Sequence, residues 1–302
     1  TTTSIQRDTW DLGFYTGNEF RVILNGSIYM AAGKLSSTNI DAVSSASSEV
    51  QELQQKVAVG TFNPTNTMYI DGPEGDLKST AIDEVSLTDH QNFVYLVNLG
   101  YEVGIEVPST GSVAISGGSR GWKKIRVLSN GENYTLQYAN LDASTHQEVS
   151  IHKNNAYQFT FFSFNSESVV NVEPEKVDWD LNFTVFTNEI PGAGSYGYSD
   201  FVVQNSKANV KIYKLDSNSD GVTYNDFNFT NITLDKLASD QRGIGSSWRN
   251  GGGPGRLPSL KETVFYIIED TEGNLYKLKF LALTNAAGER GYPEFIYKLI
   301  PQ

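Results

Sequence analysis

The amino-acid sequence predicts an all-β protein made of two tandem antiparallel β domains with short helices. Tyr and Phe each number 16 among the 302 residues, 27 residues are Gly, and 39% of the chain is hydrophobic, a composition that favours strands over helices. A Trp-Asp-Leu phrase occurs twice, as TWDLGF at 9–14 and as VDWDLNF at 177–183. Strand-like segments then recur in the same order after each phrase, as expected for a duplicated domain.

The recurring segments divide the chain into domains at 1–143 and 144–302. The boundary is expected near LDASTHQEV (141–149), where the last strand of the first copy gives way to polar residues. The first copy lacks one strand at its N-terminus. The corresponding pairs are LNGSIYMAAGKL (24–35) with QNSKANVKIYKL (204–215), NFVYLVN (92–98) with TVFYIIE (263–269), KKIRVL (123–128) with YKLKFL (276–281), and YTLQYANL (134–141) with PEFIYKLI (293–300).

The elements of the second copy are the clearest. YQFTFFSF (157–164) alternates and opens the domain, and alternation in VDWDLNFTVF (177–186) places Trp179 on the buried face of a central strand. VFYIIEDTEGNLYKLKFLAL (264–283) predicts a hairpin that turns at an Asp, Gly and Asn cluster, and FIYKLI (295–300) closes the set. The connections are short, so the strands should be antiparallel.

Helices are scarce in the sequence. Apolar residues at helical spacing in DAVSSASSEVQELQQKV (41–57) predict a short helix that begins near residue 48. ITLDKLASD (232–240) predicts one helical turn at the corresponding place in the second copy. Both are expected to face the core.

Charge and composition exclude several classes of function. The formal net charge is −12, so the chain offers no basic surface for nucleic acid or for an anionic membrane. Cys is absent, which excludes disulfides, a Cys-zinc site and a thiol nucleophile. No apolar run reaches the roughly 18–20 residues that a transmembrane helix needs.

Residues that could carry catalysis do not form a convincing site. Asp178 and Asp180 share one face of the predicted strand, but the first copy has Thr9 in place of the first of them. None of the three His residues lies in an HExxH motif or beside another His. The sequence therefore predicts a protein that is not an enzyme.

Two loops stand out as candidate binding segments. DSNSDGVTYNDF (216–227) begins like a calcium loop but has Phe227 at the twelfth position, which favours a turn. WRNGGGPGRLP (248–258) combines four glycines with Trp248, Arg249 and Arg256, an aromatic face and two cations. It is either a ligand-facing loop or an ordinary flexible connection.

The segments 156–188 and 264–300 resemble the HmuY family, haem-binding surface lipoproteins of Gram-negative anaerobes. The Phe-rich strand, a Val-Val pair, the Trp-Asp phrase and the final hairpin occur in the family's order. The resemblance implies an all-β fold in which loops hold haem through two axial His or Met residues. It also implies a secreted protein, or a cell-surface lipoprotein of the outer membrane, whose partners are haem or another small molecule and other surface proteins.

The ligand pattern of the family is not met. The two stretches where the resemblance places axial ligands, 216–230 and 248–255, contain no His or Met. The remaining candidates are Met68, in a loop-like segment, and Tyr224, which as a phenolate could bind ferric haem. Together with Trp248, Arg249 and Arg256 they are the predicted cofactor-binding residues, with haem implied by the resemblance alone. The sequence predicts a non-enzymatic ligand-binding protein; the alternative is a structural or protein-interaction module without a ligand.

Overall fold

The computed structural model describes residues 2–109, 111–252 and 256–301. It confirms the predicted all-β fold, with antiparallel sheets and few, short helices. The strands are β1 (Leu12–Tyr15), β2 (Val22–Leu24), β3 (Ala31–Lys34), β4 (Val94–Asn98), β5 (Tyr101–Val103), β6 (Ser116–Ser119), β7 (Trp122–Ser129), β8 (Tyr134–Asn140), β9 (Gln147–Ile151), β10 (Phe159–Ser163), β11 (Ser168–Val170), β12 (Leu181–Ile190), β13 (Gly194–Gln204), β14 (Lys211–Asp216), β15 (Arg249–Asn250), β16 (Ser259–Leu260), β17 (Val264–Glu269), β18 (Leu275–Thr284) and β19 (Arg290–Leu299).

The helices are short, as the sequence predicts. The α-helices are α1 (Ser48–Gln54), which confirms the predicted helix, and α2 (Ser217–Asp220). Across the described residues, no helix combines the length and apolar character needed to cross a membrane. The 3-10 turns are Arg7–Thr9, Gly26–Ile28, Ile40–Ala42, Pro64–Tyr69, Leu77–Ser79, Asp89–Gln91, Ser206–Ala208, Phe229–Asn231 and Leu234–Lys236.

The chain divides into two compact units. Unit 1 comprises Thr1–Gly104, Ser116–Glu175 and Phe186–Gly197. It contains a five-stranded sheet in the order β3-β4-β7-β8-β9 and a four-stranded sheet in the order β11-β10-β1-β2. Apolar side chains from both sheets, among them Phe14, Tyr134 and Phe162, form its main core.

Unit 2 comprises Ile105–Ile115, Lys176–Val185 and Tyr198–Gln302. Its sheet has the order β14-β17-β18-β19, and the alternation of side chains gives this sheet two apolar faces. One face carries Tyr266 and Phe280 in a cluster that includes Trp248. The other carries Phe265 and Ile267 in a separate cluster.

The first four strands of the unit 1 sheet and the four strands of the unit 2 sheet share one order and one register. The residue pairs across adjacent strands coincide when the repeated sequence segments are superimposed. The matching pairs are Gly33–Leu96 with Tyr213–Ile267, Leu96–Lys124 with Ile267–Lys277, and Ile125–Tyr138 with Leu278–Tyr297. Strand assignments made from the repeated segments are therefore consistent with the hydrogen-bonded pairing.

A buried Asn follows each Trp-Asp phrase and makes the same hydrogen bonds. The Nδ2 atom of Asn25 donates to the carbonyl of Trp10 at 2.7 Å, and that of Asn205 donates to the carbonyl of Trp179 at 2.9 Å. Each also donates to the carbonyl three residues before the Trp. The backbone N–H of each Asn donates to the carbonyl of the Asp after the Trp. In each copy the amide side chain thus holds the backbone of the Trp-Asp phrase in place. We call these two arrangements the Asn25 and Asn205 clamps.

The prediction that Trp179 lies on the buried face of a central strand is wrong. β12 begins only at Leu181, and Trp179 and Trp10 are both half-buried residues that precede a strand. The carbonyl of Trp179 bonds to Asn205 rather than to a neighbouring strand. Phe183, at the alternating position four residues after Trp179, is 38% exposed.

The compact units differ from the predicted domains 1–143 and 144–302. Strand β9 pairs with β8, and β10 pairs with β1 through partners such as Leu12 and Phe162. Residues up to Glu175 therefore belong to unit 1, including the YQFTFFSF strand that the sequence assigned to the second domain. Local periodicity identified this strand correctly, but its partner is about 150 residues away in sequence and could not be read from the pattern.

Candidate functional site

Trp248 is a core residue rather than an open stacking surface. It is 1% exposed, and its ring lies parallel to that of Phe280 with the centroids 4.1 Å apart. The backbone on its C-terminal side forms the short β15–β16 ladder, in which Arg249 faces Leu260. Gly253 and Gly255 of the predicted loop lie outside the described residues, and Arg256 is exposed.

Arg249 belongs to a buried cluster of charged groups in unit 2. A terminal nitrogen of Arg249 donates to the carbonyl of Ser199, and its Nε lies 3.8 Å from Oδ2 of Asp200. Arg290 donates to the same Oδ2 from Nε at 2.9 Å and from Nη2 at 2.5 Å. It also donates to Ser199 Oγ at 2.9 Å and to the carbonyl of Gly111 at 3.2 Å. We call Arg249, Arg290, Asp200 and Ser199 the arginine cluster.

Two guanidinium groups in this cluster share one carboxylate. The side chains of Arg249, Arg290 and Asp200 are 6%, 6% and 7% exposed. Burial lowers the pKa of Arg249, and the charge of Arg290 lowers it further, against the opposing effect of Asp200. Nε of Arg249 is buried and has no hydrogen bond among the described residues. The cluster therefore carries one positive charge in excess, and a carboxylate or other anionic group would compensate it.

The buried ion pair of unit 1 lacks this excess. Arg120 donates to Asp11 at 2.6 Å, to the carbonyl of Leu99 at 3.1 Å and to Asn165 at 3.2 Å. Asp11 also accepts the backbone N–H of Phe164 at 2.6 Å. One cation thus meets one anion, and both are hydrogen-bonded, as is typical of a structural pair. The unbalanced charge is a feature of the arginine cluster.

Tyr224 lies on the opposite face of the unit 2 sheet from Trp248. It packs with Phe265, whereas Trp248 packs with Phe280 on the other face. Nζ of Lys277 lies 4.9 Å from the centre of the Tyr224 ring and donates to the Tyr224 carbonyl at 2.6 Å. Burial raises the pKa of Tyr224, which disfavours the phenolate that would bind ferric iron.

The thioether and imidazole groups are all in unit 1. Met68 is 70% exposed on the 3-10 turn Pro64–Tyr69, whereas Met30 is buried in the core. Nδ1 of His146 lies 2.9 Å from Oδ1 of Asp41. Over the described residues, no three His, Asp or Glu side chains are grouped so that they could hold a metal ion. The segment that resembles a calcium loop forms α2, which Asp216 caps through the backbone N–H of Asn218.

The structure thus brings together only part of the predicted set. Arg249 joins Asp200 and Arg290, two residues that sequence reasoning missed because they lie 49 and 41 positions away and carry no local motif. Trp248 and Tyr224 belong to separate clusters in unit 2, and Met68 belongs to unit 1. The arginine cluster differs from buried lysines of the described chain such as Lys124 and Lys277, whose ammonium groups donate to backbone carbonyls, because Nε of Arg249 has no hydrogen-bond partner there.

The described chain thus combines an all-β fold with a buried cluster of two arginines and one aspartate. Residues 1–297 match the sequence model described as HmuY protein, and the chain therefore belongs to the HmuY family, as its resemblance predicted. No curated protein and no solved structure matches the chain.

Proposed function

We propose that the chain is a non-enzymatic binding protein whose ligand presents an acidic group to Arg249. The observation that carries the proposal is that Arg249 and Arg290, both buried, share the single carboxylate of Asp200. A ligand carboxylate at Arg249 would balance the cluster and accept a charge-assisted hydrogen bond. Haem, the ligand that the family resemblance implies, carries two propionate carboxylates and meets this requirement. The same resemblance supports a secreted or cell-surface lipoprotein of the outer membrane.

We propose further that iron is not held by a pair of His or Met residues. Unit 2 contains neither residue type, since the three His and two Met residues all fall within the ranges of unit 1. Met68 offers one exposed thioether, and the raised pKa of Tyr224 works against phenolate ligation. Binding would then depend on the acidic groups and the apolar surface of the porphyrin rather than on its metal.

Equilibrium titrations with haem and with metal-free protoporphyrin IX test this proposal. Both should bind with similar affinity because they carry the same two carboxylates. Arg249→Gln should weaken both by about tenfold or more, the effect of losing a hydrogen bond to a charged group. Arg256→Gln, which changes an exposed charge a few residues away, is the matched control and should leave both affinities nearly unchanged.

Two results would contradict the proposal. Haem binding far more tightly than the metal-free porphyrin would show that iron ligation supplies the affinity. Unchanged affinity of Arg249→Gln for both porphyrins, in a variant whose urea unfolding shows an intact fold, would remove the arginine cluster from the site.

We also propose that the two sheets descend from tandem copies of one HmuY-like unit. The support is the shared strand order, the shared register and the Asn25 and Asn205 clamps.

The second candidate function is a protein-interaction module without a small-molecule ligand. It is favoured by the exposed apolar surface of β19, where the exposed residues are Tyr292, Ile296, Tyr297 and Leu299.

A further inference from the structure

Strand β19 leaves one side of its backbone open. The backbone N–H of Ile300 donates to the carbonyl of Leu275, so alternate residues before it, Ile296 and Lys298, also direct their backbone groups toward β18. The N–H and C=O groups of Phe295, Tyr297 and Leu299 consequently point away from β18. Nothing in the described part of the chain hydrogen-bonds to them.

The corresponding edge of the unit 1 sheet is covered. Tyr138 of β8 pairs with Ile125 as Tyr297 of β19 pairs with Leu278, so the two tyrosines hold the same place in their sheets. Strand β9 pairs with the outer side of β8, and Tyr138 is 5% exposed where Tyr297 is 67% exposed. The other edge of the unit 2 sheet is also covered, through reciprocal hydrogen bonds between Ile212 and Ala238.

The open edge lacks much of the protection that isolated edge strands carry. Pro293, which has no backbone N–H to donate, disfavours strand pairing near the start of this edge. Residues 294–299 contain neither Pro nor Gly. Its side chains are mainly large and apolar, and Ile296, Tyr297 and Leu299 are exposed. The two charges in this stretch, Glu294 and Lys298, have opposite signs. Such an edge suits pairing with another strand.

We propose that β19 pairs antiparallel with β19 of a second copy of this chain, around a two-fold axis at Ile296. In this register Glu294 of each copy lies opposite Lys298 of the other, which gives two ion pairs on one face of the joined sheet. Phe295 and Tyr297 lie opposite each other on the other face, and their outward N–H and C=O groups form the hydrogen-bonded pairs. A two-fold arrangement uses the same surface on both copies and closes as a dimer.

The charges of Glu294 and Lys298 favour this register, and they favour a second copy of the chain as the partner. Moving the axis to Tyr297 would place Lys298 opposite Ile296 and leave Glu294 without a partner of opposite sign. A strand from an unrelated protein would match Glu294 and Lys298 only by chance, whereas a second copy supplies the complementary order by symmetry. The proposal rests on the sheet edge alone and is independent of the ligand proposed for Arg249.

Sedimentation equilibrium of the whole chain, with and without charge changes, tests the proposal. The wild-type chain should show a concentration-dependent dimer. Glu294→Lys and Lys298→Glu each place like charges opposite one another twice and should weaken the dimer by about tenfold or more, with both pairs contributing. The double variant restores opposite charges and should dimerise nearly as well as the wild type. Lys214→Glu, an exposed charge reversal on β14, is the control and should leave the dimer intact.

The recovery in the double variant separates a specific pair from a general effect of charge or folding. Far-UV circular dichroism of each single variant checks that a lost dimer does not reflect an unfolded chain. A wild-type chain that stays monomeric overturns the proposal, and a monomer that takes up an added β-strand peptide assigns the edge to a foreign strand. A dimer that both single variants leave unchanged places the contact elsewhere.

Discussion

Replacing Trp248 by Ala should destabilise unit 2 strongly, since this residue fills its core. The side chain is 1% exposed and lies in the same cluster as Tyr266, Leu278 and Phe280. Its loss leaves a cavity behind the β17–β18 pair. Burial of this extent predicts a loss of about 3–5 kcal/mol in the free energy of unfolding, the usual cost of a core Trp or Phe replaced by Ala. The parallel stack on Phe280 accounts for part of this loss.

Urea unfolding followed by far-UV circular dichroism measures this loss without relying on Trp fluorescence. Trp179→Ala is the matched control because Trp179 is half-buried and lies before its strand. It should cost about 1 kcal/mol, near the centre of the distribution for point mutants. A loss below about 1 kcal/mol for Trp248→Ala would show that the ring is not packed as described. It would restore Trp248 as a candidate stacking surface for a ligand.

Three further predictions concern the clamps, the tyrosines and the exposed segments. Asn25→Ala and Asn205→Ala should each cost about 1–3 kcal/mol in urea unfolding, since each leaves buried carbonyls without a donor; a negligible cost for either would argue against the clamp. Burial raises the pKa of Tyr29 from 10.0 to about 12, so the stability it confers is complete below pH 10 and is lost as pH rises through 12. Urea midpoints between pH 9 and 12 should fall less steeply in Tyr29→Phe, and equal slopes would refute this. Thermolysin should cut within 105–109, where Ile105 is 94% exposed, before it cuts within 141–150; the reverse order would restore the boundary predicted from the sequence.

The sequence predicts elements that depend on local periodicity and misses those that depend on distant partners. The β17–β18 hairpin and α1 were predicted nearly to their ends because alternation and helical spacing are properties of short segments. Trp179 was misplaced because the amide of Asn205 holds its carbonyl, an interaction that no alternating pattern encodes. The residue pairing between adjacent strands is the same in both repeats, because the aligned sequence segments keep the same register.

The candidate site shows the same division. The composition of the Gly-rich loop predicted both Arg249 and Trp248 as binding residues. In the folded chain Arg249 lies in a charged cluster, whereas Trp248 lies in the apolar core. Asp200 and Arg290 lie on β13 and β19, and only the folded chain brings them to Arg249. The excess of buried charge arises only when residues far apart in sequence come together in the folded chain, so no local sequence motif indicates it.

The visible absorption spectrum of the chain titrated with haem shows directly whether a pair of axial residues holds the iron. Two strong axial ligands of the His or Met type give six-coordinate, low-spin haem. We predict that bound haem shows no such spectrum, because unit 2 has neither residue type and Met68 is a single exposed thioether. A stoichiometric low-spin spectrum that disappears when His146, His152 or Met68 is replaced would contradict it.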